Sequence, residues 1–124
     1  MDPVDWRPGE WRAGADYLAN YALAEETSGS TLTPDLLQQM FVTTRADKGA
    51  VQVFTDGGYT ATGGAYGIQM VAWSERDGMI HRRMAGYLYA YFPDAHSAFQ
   101  MEVMALDRAV ELMCTFGNLK KGAR

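Results

Sequence analysis

The 124-residue chain is of single-domain length, and 48% hydrophobic residues suffice for a packed core. A formal charge of −4 excludes a generally basic, nucleic-acid-coating surface, leaving local patches at Arg82-Arg83 and residues 120–124. One cysteine excludes an intrachain disulfide framework and points to a reducing compartment.

Residues 1–13 set Pro3, Pro8 and Gly9 around Trp6 and Trp11 and read as an irregular arm, without the apolar core of a signal peptide. Over residues 13–26, Ala15, Leu18, Ala19, Ala22 and Leu23 recur at helical spacing, which predicts an amphipathic helix of about three turns. Thr27-Ser28-Gly29-Ser30-Thr31 reads as a linker. Thr33-Pro34-Asp35 is an N-cap followed by Pro at the first helical position, and Leu36, Leu37 and Met40 form the apolar side of that short helix.

Past Gly49 the period becomes two. Val51, Val53 and Thr55 point one way, Gln52 and Phe54 the other, and the strand ends at Asp56 where Gly57-Gly58 makes a turn. Residues 66–73 form a second strand, Asp77-Gly78 a hairpin turn, and residues 79–91 a third strand rich in aromatics. Residues 97–116 form a helix with Met101, Met104, Ala105, Val110 and Met113 inward, closed by Gly117-Asn118. Cys114, in the run Leu112-Met113-Cys114, reads as a small core residue. No apolar run nears the ~20 residues of a membrane span. The expectation is an intracellular protein, cytoplasmic or nuclear, or a piece of one.

Two carboxylates stand out. Asp56 is either a turn residue or a ligand left open by two glycines, and Gly63-Gly64 would let a backbone approach closely. No Gly-Lys-Ser/Thr follows, so this is not a phosphate-cradling P-loop. Glu102 lies beside the apolar stripe of the last helix, and it either favours the helix N-terminus through the dipole or holds a cation. Asp107, Glu111 and Arg108 read as a solvated face; His96 reads as an exposed cap neighbour and His81 as a plain strand residue.

These residues carry a resemblance. Phe54-Thr55-Asp56-Gly57-Gly58, the glycine-rich Gly64-Ala65-Tyr66-Gly67, and Gln100-Met101-Glu102-Val103-Met104-Ala105-Leu106 follow one another as in the first half of the ribonuclease H family. These are the hybrid-cleaving nucleases also fused to reverse transcriptases in retroelement polyproteins. The resemblance covers about half the chain and makes Asp56 and Glu102 the first and second acidic ligands. Trp11-Arg12-Ala13-Gly14-Ala15-Asp16-Tyr17-Leu18-Ala19-Asn20 is similar to the family's last motif, so Asp16 would complete the set; by itself it reads as a first-turn helix Asp. That motif stands before the first strand here, not after the fifth. The chain is then either a junction between two such units of a polyprotein, the favoured reading, or a circularly permuted, shortened domain.

The implied fold is α+β and ribonuclease H-like: a three-stranded antiparallel meander with a packed C-terminal helix and extra N-terminal helices, incomplete relative to the full fold. Residues 1–31 would be the arm and helix resembling the last motif, and 32–124 the partial domain. The third carboxylate of the family, after a fourth strand, has no counterpart before Arg124. The implied activity is two-metal hydrolysis of the RNA strand of an RNA–DNA hybrid by Asp56, Glu102 and Asp16 with Mg²⁺, or Mn²⁺ in its place, incomplete or inactive in this chain alone. Gly57, Gly58, Arg82 and Arg83 would be the nucleic-acid contacts. The alternative is a non-catalytic module that binds nucleic acid or protein, with an open sheet edge for the rest of a polyprotein or a second copy.

Overall fold

In the computed structural model, residues 10–46 and 49–116 are described, without the side chains of residues 10–13, 41–46, 76, 82–85 and 116. Residues 1–9 of the expected arm, the Gly117-Asn118 stop and the basic tail lie outside the described residues, while residues 10–13, read as part of that arm, belong to the first helix. The period-two stretches become long antiparallel strands: β2 (Ala50–Thr60), β3 (Gly63–Arg76) and β4 (Met79–Phe92). They pair in sequence as a meander, β2 with β3 and β3 with β4. Asp77 and Gly78 both take positive φ, 53° and 78°, so the turn has the twist that a two-residue hairpin needs. Helices α1 (Glu10–Glu25), α2 (Pro34–Ala46) and α3 (Ala98–Phe116) complete an α+β architecture.

The starts of α2 and α3 are set by short-range chemistry. The Thr33 hydroxyl accepts from the Leu36 N–H at 3.1 Å, with Pro34 opening α2. The Ser97 hydroxyl caps α3 by accepting from the Gln100 N–H at 3.0 Å, while the Gln100 side chain accepts from the His96 N–H at 2.6 Å.

The sheet is sandwiched. On one face α1 buries Ala15, Leu18, Ala19 and Ala22, and Leu18 packs with Val71, Phe54, Trp73, Tyr87 and Tyr89. On the other face Leu37 and Met40 of α2 meet Met70, Ala72 and Leu112, while Ala105 and Ala109 of α3 cover Tyr66 and Ile68. Thus α1 and the later strands share one core.

Four further expectations are corrected. The segment read as a linker contains a fourth strand, β1 (Gly29–Ser30), which pairs with β4 to give the order β1-β4-β3-β2. The Tyr89 hydroxyl packs against Gly29, where a Cβ would sit 2.6 Å from it and push the ring aside. Asp56 does not end its strand: β2 runs on through Gly57 and Gly58 to Thr60, each paired with β3. Cys114 is exposed, because Leu112 faces the core and two further residues turn the helix by ~200°. Val110 is 58% exposed, since it lies ~140° round α3 from the buried Ala105.

One buried residue stands against the usual rule. Gln69 is fully buried on β3, between Phe54 and Tyr87 in the register, and among the described residues neither side-chain polar atom has a hydrogen-bond partner. An unpaired buried amide costs ~1–3 kcal/mol. Gln69→Leu, of similar volume, is expected to raise the unfolding free energy by about 1 kcal/mol in urea melts; a loss would mean that the amide contributes a bond in solution.

Candidate functional site

The candidate site is built where α1 crosses β2. Strand alternation puts Asp56 on the same face as Phe54, the face covered by α1. Its register partner on β3 is Gly67. A Cβ on Gly67 would lie 2.4 Å from the Ala15 carbonyl oxygen and 2.7 Å from the Leu18 Cβ, so the missing side chain lets α1 approach the sheet. That approach brings Asp16, the residue after Ala15, to Asp56, and the two carboxyl groups share a hydrogen bond. The Asn20 amide, one turn along α1, donates to Asp16 Oδ2 at 3.3 Å.

Two carboxyl groups in contact resist double ionisation. The pKa of Asp56 is pushed up from its ordinary 3.8 to about 6. Burial is the largest cause, followed by the hydrogen bond to Asp16 and the Asp16 charge; the Gly57 N–H opposes the rise, and the Glu102 charge adds to it last. Among the described residues no cation is paired with either group.

Glu102 reaches the same end of the sheet from the opposite face. The α3 backbone at Met101 and Glu102 lies directly over Gly57, where a Cβ would be 2.7 Å from the Glu102 nitrogen. The Glu102 side chain is exposed, and its charge is felt at Asp56. Three acidic residues from separate elements are therefore neighbours at one rim, with Asp16 and Asp56 in contact and Glu102 more distant. Among the described residues, no group of three or more His, Cys, Asp or Glu is arranged to hold a metal ion.

The other candidates fall as follows. Gly57 and Gly58 are packing positions: α3 fills the space over the first, and Leu23 of α1 stands 3.1 Å from a Cβ on the second. Arg82 and Arg83 lie in β4 opposite Trp73 and Ala72, with their side chains outside the described residues. His81 is exposed on β4, His96 is exposed before α3, and Arg108 pairs with Glu111 on the solvated side of α3. Asn20 was not singled out from sequence; its spacing of four from Asp16 on one helix was the available signal.

The chain matches no family model, no curated protein and no solved structure. Among the described residues, no helix is long and apolar enough to cross a membrane.

Proposed function

We propose that the chain is a ribonuclease H-like, divalent-metal-dependent module acting on the RNA strand of an RNA–DNA hybrid, with Asp56 and Asp16 as the central ligands and Glu102 as an outer one. One observation carries this reading: two carboxyl groups distant in sequence are held together although their contact raises the pKa of Asp56 to about 6. A cation between them would relieve that repulsion, and an all-oxygen donor pair suits Mg²⁺ or Mn²⁺, which keep several waters of their own. Such an ion, when bound, polarises a phosphodiester and makes a coordinated water more acidic.

The chain's own residues have simpler tasks. Asn20 donates to one Asp16 oxygen and so helps to fix the carboxylate that meets Asp56. Below pH about 6 the Asp56 carboxyl is protonated, and above it the Asp56 carboxylate is free to take a cation. Cleavage is therefore expected to rise with pH through that value.

The test is digestion of a labelled hybrid in Mg²⁺. Cleavage confined to the RNA strand, lost in chelator and lowered at least ~100-fold by Asp16→Asn, would support the proposal. Cleavage that survives chelation would refute it.

A second reading, a non-catalytic interaction module of the same architecture, is favoured by the lack of a three-ligand group among the described residues. Hybrid binding or Mg²⁺ binding without hydrolysis would select it.

A further inference from the structure

Helix α3 carries two kinds of surface. Ala105, Ala109 and Met101 face the sheet, and Arg108 and Glu111 turn toward the Tyr66 side, where their charges reach the Tyr66 hydroxyl. On the opposite flank Phe99, Val103, Leu106 and Val110 form a stripe that is 72%, 46%, 56% and 58% exposed. A helix turns ~100° per residue, which places Leu106, Phe99 and Val110 ~100–140° from Ala105 on the side of the free edge of β2. There Leu106, Val110 and Met113 join Val53 and Thr55 around an apolar groove of about 350 Å³.

Strand β2 is the edge of the sheet, and among the described residues nothing pairs with its outer side. Its 11 residues contain one charge, Asp56, with no lysine and no proline. Those are the devices that usually keep an exposed edge from pairing. An apolar helix flank beside an unprotected strand edge needs cover.

We infer that this cover is a second copy of the chain, joined β2 to β2 in antiparallel fashion with the two α3 stripes in contact. The geometry is self-complementary, as a two-fold interface requires. Met101 lies over Gly57, and Met113 packs on the same cluster as Val51 and Val53. The helix thus runs antiparallel to β2 and covers roughly 18 Å in the 12 residues that match about six of the strand. Leu106 therefore stands level with Phe54 and Thr55, and a two-fold axis at that level brings Leu106 against its own copy, with Val110, one turn (~6 Å) along α3, packing beside that contact.

Spacing agrees as well. Helix α3 rests mainly on β2 and partly on β3, so its axis is set back about half a strand interval from the edge strand. Adding the ~4.8 Å between paired strands separates the two helix axes by about 10 Å, which is the upper part of the range for packed helices. A strand edge ~35 Å long with this stripe beside it offers an area of the order of the ~800 Å² per partner in a standard interface. The result would be one continuous eight-stranded sheet, four strands from each copy.

The experiment is sedimentation equilibrium of the full chain from low to high micromolar concentration. A species of twice the chain mass is expected. Leu106→Glu should raise its dissociation constant at least ~30-fold with an unchanged circular dichroism spectrum, since the side chain is already exposed. Leu106→Cys in a Cys114→Ser background should form an interchain disulfide under mild oxidation. A monomer at every concentration overturns the inference, and so does a dimer indifferent to Leu106→Glu. A monomer that dimerises only after removal of residues 117–124 also overturns it, since the groove would then belong to the chain's own end.

Discussion

Asp56→Asn is expected to raise the melting temperature at neutral pH by about 4 °C and to remove Mg²⁺ binding at the same time. The stability gain follows from proton linkage. The native state holds the Asp56 proton up to pH about 6, whereas the unfolded chain releases it near 3.8. Between those values the unfolded state binds fewer protons, so stability falls as pH rises through the window and stays reduced above it. The full shift would correspond to about 3 kcal/mol. Asp56 is only half-buried at a sheet rim, and solvent screening reduces this to about 1 kcal/mol. Asparagine retains the shape and the contact with Asp16 without the second charge. Scanning calorimetry from pH 4 to 7 should show a declining melting temperature for the native chain and a flat profile for the variant. A steeper decline in the variant would mean that another group carries the linkage. Titration calorimetry tests the other half: an unchanged Mg²⁺ affinity in the variant would remove Asp56 from any metal site, whatever the stability result.

The second large effect concerns a residue with no side chain. Gly67→Ala should destabilise the chain by about 3 kcal/mol, the upper end for overpacking, and lower its melting temperature by roughly 10 °C. The added methyl would meet the Ala15 carbonyl oxygen at 2.4 Å and the Ala19 nitrogen at 3.0 Å. Backbone cannot turn aside as a rotamer can, so α1 must lift from the sheet. Asp16 would leave with it, and the Asp56 pKa should drop back toward its ordinary value in an NMR titration of the side-chain carboxyl. Gly58→Ala is the control: only the Leu23 Cδ1 stands near, at 3.1 Å, and a flexible methyl can yield. Its cost should stay below about 1 kcal/mol. Equal losses in the two variants would show that β2–β3 tolerates no side chain at either glycine and that helix approach is not the cause.

Much of the fold was legible because its signals are local. The Asp77-Gly78 pair fixes its hairpin through backbone preferences of two residues, and Thr33-Pro34 and Ser97-Gln100 start their helices within one turn. The alternation from Val51 to Phe54 correctly divides the residues facing α3 from those facing α1. Asp56 and Glu102 could also be marked by residue type and position, while Asp16 entered through the resemblance of residues 11–20 to a family motif. Their grouping could not, because Asp16 and Asp56 meet only through a helix crossing a strand 40 positions away in the chain.

Sequence alone thus determined the strand period, the starts of α2 and α3 and the Asp77-Gly78 hairpin. Tertiary structure decided the rest. It made Gly57 a strand residue under α3 and not part of a turn, and Gly67 the point where α1 approaches the sheet. It recruited Gly29 and Ser30 as a strand because Tyr89 and Leu88 lay opposite. It turned Val110 and Cys114 outward because helix phase is set by which residues the sheet can accept. A local pattern specifies backbone conformation through neighbours a few bonds apart. The charge state of Asp56 and the identity of an open edge depend on which distant surfaces the folded chain brings together.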